Sequence, residues 1–195
     1  MLRTDLFNLP NYVSGLRIAL APVVIGLMLS IHPGAHEGWN RTASILATIF
    51  YVIASLSDII DGILARRARL SSVMGKLLDP LADKFLNLSV LVMLVPLHRM
   101  TAWLAVLIIA REMGVTTLRG IAGSEGIVIA AGKWGKMKNA FGSVGTAMLL
   151  VYYPFFGIDW FMIGWVLFLI SAVLSLGSGM QYTVGFFRGL ERKRA

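Results

Sequence analysis

Residues 58–83 read DIIDGILARRARLSSVMGKLLDPLAD and hold four of the chain's ten acidic residues, Asp58, Asp61, Asp79 and Asp83. Both pairs lie in or at the end of long apolar segments, where a carboxylate is costly and usually functional. Spacings of three and four residues place each pair on one face of a helix. If the two helices are neighbours, four carboxylates converge. Hard divalent cations held by oxygen ligands are the natural compensation for their mutual repulsion.

The composition is that of a membrane protein with no separate soluble domain. Hydrophobic residues make up 57% of the 195 residues and charged residues only 14%, whereas a soluble domain carries about 25% charged residues. Cysteine is absent, which excludes disulfides, thiolate metal sites and a cysteine nucleophile. The net charge of +8 is typical of membrane topology and of contact with anionic lipids, so we do not expect nucleic-acid binding.

Six segments come close to the length of about 20 apolar residues that a spanning helix needs. The sequence therefore predicts an all-α, polytopic membrane protein with a single domain over residues 1–195. Residues 1–8 are expected to lie along the interface as a short helix, residues 13–186 to form a six-helix transmembrane bundle, and residues 187–195 to form a basic cytoplasmic tail. The predicted spans are 13–31, 42–64, 76–97, 101–121, 140–156 and 160–184.

Loop charges predict the orientation of this bundle. Six spans place both termini on one side. The termini and the connections on that side are rich in Lys and Arg, whereas the opposite loops hold only Arg41 and Arg99. By the positive-inside rule the basic side is cytoplasmic. We therefore expect an integral membrane protein, with the aspartates and both termini facing the cytoplasm.

Eight residues of the central stretch form the pattern D-x2-D-G-x2-A-R-x8-G-x3-D-x3-D. Every position matches the signature of the CDP-alcohol phosphatidyltransferases, which the stretch closely resembles. The residue types fit a nucleotide ligand as well. Gly62 and Ala65 leave a shallow patch where a base or pyrophosphate can approach the backbone, and Arg66 offers a charged fork for phosphate.

The resemblance implies a substrate, a cofactor and residue roles. The substrate would be CDP-diacylglycerol, and the cofactor Mg2+ or Mn2+, two per active site. Asp58, Asp61 and Asp79 would be the main metal ligands, and Asp83 the general base and a ligand of a second metal. The predicted CDP-diacylglycerol site comprises Asn11, Asp61, Gly62, Ala65, Arg66 and Gly75.

Other interpretations of these residues remain open. The aspartates could be polar links between helices, paired with Arg66, Lys76 or Lys84. A cation transporter could use the same carboxylates, although the outer halves of the second and third spans are mostly apolar. A scaffolding protein would leave the spacing of the glycines and Arg66 unexplained. At the N-terminus, Asn11, Ser14 and Arg17 form one stripe, which fits helix capping and interfacial snorkelling as well as a nucleotide-side role.

The acceptor is predicted from two basic segments, REMGVTTLR (111–119) and GKWGKMKN (132–139). Basic residues beside small ones suit a phosphorylated, soluble acceptor. The predicted acceptor-phosphate residues are Arg111, Arg119, Lys133, Lys136 and Lys138. Glu112 fits a structural ion pair as well as a catalytic role.

These two segments resemble the branch of the family that uses glycerol 3-phosphate and forms phosphatidylglycerol phosphate and CMP. That branch leads us to expect Thr and Gln where this chain has Asn139 and Gly142. Another acceptor, such as inositol phosphate, serine or another alcohol, therefore stays open.

Assembly is predicted only in outline. Membrane lipids surround such a bundle, and the family resemblance implies a homodimer. Small residues in the last three spans favour close helix packing or a dimer seam; they include Gly145, Gly164, Gly177 and Gly179.

Overall fold

The computed structural model describes the backbone of residues 9–68, 73–127 and 133–194. Side chains are described within these ranges except at 9–14, 58–68, 73–80, 83, 133, 136, 192 and 194. The predicted interfacial helix, residues 1–8, lies outside the described residues. Several predicted site residues are described by their backbone alone: Asn11, Asp58, Asp61, Gly62, Ala65, Arg66, Gly75, Asp79, Asp83, Lys133 and Lys136.

Six α-helices make up the described ranges, which contain no β-strand. They are α1 (Leu9–Leu29), α2 (Glu37–Ala68), α3 (Val73–Leu94), α4 (Ala102–Ser124), α5 (Lys133–Val151) and α6 (Trp160–Arg194). Each helix overlaps one predicted span. The prediction of an all-α fold with six long helices is therefore confirmed.

The helix ends differ from the predicted spans. Helix α2 continues to Ala68 and α5 begins at Lys133, so several basic residues predicted in connections are helical. Helix α6 continues to Arg194, through most of the predicted tail. Hydropathy marks only the apolar part of a helix, whereas Lys, Arg, Glu and Met propagate it beyond that part. Helix α5 ends early, at Val151, because Tyr152 adopts a φ of 62° and Pro154 follows.

Apolar length alone singles out one membrane-crossing candidate in the described ranges. Trp160–Glu191 is long and apolar enough to cross a membrane. Gly15–Leu29 and Lys84–Leu94 are apolar but shorter. The described helices therefore support membrane association, and the six-span topology stays a prediction.

The first of two compact units is formed by Met1–Met100 and Ala147–Phe161. Within it α1 packs against both α2 and α3. The buried residues of α1, among them Ala21, Val24 and Met28, recur at three- and four-residue intervals and form one stripe. Small buried residues on α2 let the helices approach closely, and Tyr51 of α2 donates its hydroxyl hydrogen to Asn87 Oδ1 of α3 at 2.9 Å.

Arg99, predicted as a loop charge, lies in the turn between α3 and α4 and is buried inside this unit. The turn after α3 places His98 at a φ of 56°, and the amide of Arg99 returns to the Leu94 carbonyl, as in a Schellman motif. The Arg99 side chain is only 2% exposed. Its guanidinium donates to the Leu150 carbonyl at 2.6 Å and to Ser44 Oγ at 2.8 Å, and it lies 4.4 Å from the centre of the Tyr152 ring.

The second unit is formed by Thr101–Thr146 and Met162–Ala195. A Cβ added to Gly145 of α5 would lie 2.8 Å from the Phe168 amide nitrogen and 3.1 Å from the Gly164 carbonyl of α6. This close approach confirms that Gly145 and Gly164 serve helix packing. Gly179 leaves room for Arg111, since a Cβ there would lie 3.0 Å from Arg111 Nε, whereas nothing lies within 4 Å of Gly177.

Candidate functional site

Both aspartate pairs lie at the same level of the α2–α3 hairpin. Asp58 is ten residues before the end of α2, and Asp83 is ten residues after the start of α3. At 1.5 Å per residue, both are about 15 Å from the connected helix ends, and Asp61 and Asp79 are about 9–11 Å from them. Helices joined by a four-residue connection run antiparallel, and these two are in contact. The backbone thus allows the four carboxylates to share a site.

The aspartates are also in sequence register with buried residues of their helices. On α2 the buried residues Tyr51 and Ala54 are followed by Asp58 and Asp61 at three- and four-residue intervals. On α3, Asp79 and Asp83 precede the buried Leu86 at seven and three residues. Helix periodicity therefore predicts that each pair lies on the face of its helix that is buried in the neighbouring turn. Whether the carboxylates converge stays a prediction, since their side chains lie outside the described residues.

Arg17 of α1 lies close to this region. It is 1% exposed, and its Nε donates to the Ala54 carbonyl at 3.3 Å. Ala54 is one turn before Asp58 on α2. Burial against a neighbouring helix excludes interfacial snorkelling for Arg17, because a snorkelling side chain keeps its charge in water. The nucleotide-side role of the Asn11–Arg17 stripe remains a prediction.

The second unit holds a polar network centred on Arg111 and Glu112 of α4. Arg111 Nη1 donates to Glu112 Oε1 at 2.7 Å, Nε to the Ser175 carbonyl at 2.7 Å, and Nη2 to Ser178 Oγ at 2.6 Å. The Arg111 side chain is only 9% exposed. The structure therefore confirms the ion pair as one role of Glu112, and Arg111 ties α4 to α6.

Lys138 of α5 joins the same network. Its ammonium donates to Glu112 Oε1, the oxygen that also accepts from Arg111. Its carbonyl accepts from Ser171 Oγ of α6 at 2.7 Å. The Lys138 side chain is 13% exposed and that of Glu112 is 27% exposed. Two of the five predicted acceptor residues thus meet on one carboxylate.

The other three predicted acceptor residues are placed only in part. Arg119 is exposed, and its guanidinium lies 5.7 Å from the centre of the Tyr182 ring. Its positive charge repels the Lys138 ammonium, as does that of Arg111. Lys133 and Lys136 lie in the first turn of α5, where the helix dipole adds positive potential.

Sequence reasoning missed the three serines of this network, Ser171, Ser175 and Ser178. The available signal was a set of hydroxyls at three- and four-residue spacing inside an otherwise apolar helix. The structure also gives a packing reason for Gly142, where the resemblance leads us to expect Gln. A Cβ at 142 would lie 2.8 Å from Ser171 Oγ, so a side chain there would displace the hydroxyl that holds the Lys138 carbonyl.

Comparison with known proteins decides the family. The sequence model of the CDP-alcohol phosphatidyltransferases matches residues 7–177, which includes both aspartate pairs and the Arg111–Glu112–Lys138 network. The chain belongs to this family. The match favours phosphatidyl transfer over the transporter and scaffold interpretations of the aspartates.

Several relatives of this phosphatidyltransferase carry one name, CDP-diacylglycerol–glycerol-3-phosphate 3-phosphatidyltransferase. The Bacillus subtilis protein is 34% identical over 91% of this chain and 94% of its own length. The Treponema pallidum protein is 32% identical over 95% and 92%. The Pseudomonas fluorescens protein is 34% identical over 90% and 88%. In each case the similarity extends over nearly the whole of both chains.

The donor set of this phosphatidyltransferase fits the divalent metals that its family uses. Four carboxylates at one level of a helix hairpin offer hard oxygen donors, which suit Mg2+ and Mn2+. No cluster of three His, Asp or Glu side chains occurs among those that the structure describes, a set that does not include these four aspartates. Metal identity and number therefore stay predictions.

Proposed function

We propose that the chain transfers the phosphatidyl group of CDP-diacylglycerol to glycerol 3-phosphate, giving phosphatidylglycerol phosphate and CMP. The observation that carries the proposal is the similarity to relatives named for this activity, which reaches 34% identity over 91% of the chain. Family membership supports the donor substrate. The cationic residues around Glu112 support a phosphorylated acceptor.

The aspartates of α2 and α3 would carry the reaction. Asp58, Asp61 and Asp79, with Asp83, would hold two Mg2+ or Mn2+ ions, which when bound stabilise the charge on the phosphates. Asp61, Gly62, Ala65, Arg66, Gly75 and Asn11 would contact CDP-diacylglycerol. This assignment rests on the match of the eight-residue pattern and on the equal level of the two pairs in the hairpin.

Asp83 would act as the general base. It would accept the proton of an acceptor hydroxyl while that oxygen attacks the phosphorus that bears diacylglycerol. The new oxygen–phosphorus bond forms as the bond to the CMP oxygen breaks, and CMP leaves. A carboxylate suits this role because it can hold the proton until solvent removes it.

The basic residues of the second unit would bind the acceptor phosphate. Lys138, Arg119, Arg111, Lys133 and Lys136 provide positive charge that Glu112 offsets only in part. Ammonium and guanidinium groups form charge-assisted hydrogen bonds to phosphate oxygens, which are stronger than neutral ones. An acceptor without phosphate, such as serine, would explain these groups less well.

We also propose a six-span arrangement in the bacterial inner membrane, with both termini and the aspartates on the cytoplasmic side. The basic residues at the helix ends on that side support the orientation. Family resemblance supports a homodimer surrounded by membrane lipids. The chain contains no native cysteine, so single cysteines introduced into the predicted loops would report directly on which side of the membrane each loop lies.

A CMP-release assay on the purified protein tests the proposed reaction. CDP-diacylglycerol is supplied with glycerol 3-phosphate, inositol phosphate, serine or glycerol, in the presence of Mg2+, Mn2+ or a chelator. We expect fast release only with glycerol 3-phosphate and a metal. Fast release with another of these compounds would identify that compound as the acceptor. The proposed phosphatidyl transfer from CDP-diacylglycerol would still stand.

Asp83→Asn tests the role of the base. The amide keeps the size of the side chain but cannot take the proton, so we expect turnover to be abolished while CDP-diacylglycerol binding stays close to that of the wild type. Binding is measured separately, by retention of radiolabelled CDP-diacylglycerol. Equal loss of binding and turnover would refute the base role.

A further inference from the structure

Glu112 holds two cations from different helices on a single oxygen. Arg111 Nη1 of α4 and the Lys138 ammonium of α5 both donate to Oε1. Arg111 is fixed by further bonds to Ser175 and Ser178 of α6. The carboxylate therefore sets the position of Lys138 against a guanidinium that cannot move freely.

Lys138 is held at both ends. Its carbonyl accepts from Ser171 Oγ at 2.7 Å, a contact for which Gly142 leaves the space. Its ammonium is held by Glu112. A lysine side chain is ordinarily flexible and loses rotamer entropy when it is ordered. Here that loss has already occurred before a ligand arrives, which favours tight binding by Lys138.

The charges explain why a carboxylate is needed at this position. Arg111 and Arg119 both repel the Lys138 ammonium, so without Glu112 the lysine would move away from them. An ammonium has three N–H donors, and the bond to Glu112 uses one. We propose that Glu112 is a positioning residue, which orients Lys138 to bind the phosphate of the acceptor. This inference rests on the proposed function.

The test is the kinetics of Glu112→Gln, with both substrates varied. Gln keeps the shape of the side chain but loses its charge. We expect the KM for glycerol 3-phosphate to rise about tenfold, as for the loss of one charge-assisted contact, and the KM for CDP-diacylglycerol to change less than about twofold. Glu112→Asp keeps the charge and should fall between Gln and the wild type.

A double-substitution cycle shows whether Glu112 acts through Lys138. If it does, Glu112→Gln combined with Lys138→Met has the same KM for glycerol 3-phosphate as Lys138→Met alone. Multiplied effects, or an unchanged or lower KM in Glu112→Gln, would overturn the inference. A misfolded Glu112→Gln variant is recognised because its KM for CDP-diacylglycerol, measured in the same assay, changes as well. In that case Glu112→Asp is the deciding variant. An unchanged KM for glycerol 3-phosphate in Glu112→Asp then overturns the inference.

Glu125→Gln is the matched control. It makes the same substitution in an exposed ion pair of the same unit, between Glu125 and Lys193 at 2.8 Å, and should leave both KM values unchanged. Failure of the proposed function is distinguishable, because the wild type would then show no dependence on glycerol 3-phosphate. A wild type that depends on glycerol 3-phosphate, with an unaffected Glu112→Gln, refutes only the positioning role.

Discussion

Two buried arginines, one in each compact unit, have different kinds of hydrogen-bond partner. Arg99 of the first unit is 2% exposed, and its hydrogen-bond acceptors are a carbonyl and a hydroxyl. Arg111 of the second unit shares the carboxylate of Glu112 with Lys138. Burial lowers the pKa of Arg99 to about 10. Neutral dipoles hold Arg99, whereas Arg111 is held beside a partly exposed carboxylate that a second cation, Lys138, also contacts.

The carbonyl partners differ as well. Arg99 donates to Leu150, in the last turn of α5. The residue four positions on is Pro154, which has no N–H, so this carbonyl lacks the usual helical donor. Ser175, the partner of Arg111, lies inside α6. The contact of Arg99 therefore completes a helix end, whereas that of Arg111 supplements a continuous helix.

Arg99→Met should have the largest effect on stability. It leaves the Leu150 carbonyl and the Ser44 hydroxyl buried without their donor, at about 1–3 kcal/mol each. We expect a loss of about 3 kcal/mol, measured as thermal unfolding in detergent. Arg41→Met is the control, because Arg41 is exposed and lies 4.7 Å from the centre of the Phe155 ring; it should lose less than about 1 kcal/mol. Equal losses would contradict the stabilising role of the two Arg99 hydrogen bonds.

Gly145→Ala tests a contact in the second unit that is made with backbone atoms and not with a charged group. A methyl group at 145 meets the Phe168 and Gly164 backbone, which cannot rotate away. We expect a loss of about 1–3 kcal/mol from overpacking. Gly177→Ala meets nothing within 4 Å and should be neutral or stabilising by up to about 1 kcal/mol. If both variants unfold at the same temperature, the α5–α6 contact is not as described.

Ser44→Ala and Ser178→Ala remove one hydroxyl from each arginine. Ser44 is fully buried, so its loss should cost about 1–2 kcal/mol. Ser178 is only partly buried, and water can replace it, so we expect less than about 1 kcal/mol. Unfolding temperatures of the two variants measure the difference, and a larger effect at Ser178 would reverse the comparison.

The exposed pair of Glu125 and Lys193 should have the smallest effect. The hydrogen bond from Lys193 lowers the pKa of Glu125 below its usual value. A lowered pKa contributes stability above the unfolded-state pKa, and this stability is lost as the pH falls through the folded-state pKa. The unfolding temperature of the wild type should exceed that of Glu125→Gln slightly at neutral pH, and the difference should vanish in acid. A difference that grows in acid would contradict the shift.

The sequence was sufficient for the helices and for the family, whereas the roles of the aspartates stay predictions. Apolar length located all six helices, and the spacing of Asp58 to Asp83 identified the family. The sequence could not predict that Arg99 is buried, because an arginine has the same hydropathy value in an exposed loop as in a buried turn. Nor could it pair Glu112 with Lys138, which lie 26 positions apart and meet only after α4 and α5 pack. The helix ends were missed because basic residues extend helices without adding apolar character.

The most direct test compares CMP release with glycerol 3-phosphate and with glycerol, which offers hydroxyls without the phosphate. Lys138 and its basic neighbours are the residues proposed to recognise that phosphate. The wild type should strongly prefer glycerol 3-phosphate, and Lys138→Met should lose about tenfold of that preference while its KM for CDP-diacylglycerol stays unchanged. A preference that is the same in both proteins would contradict the account.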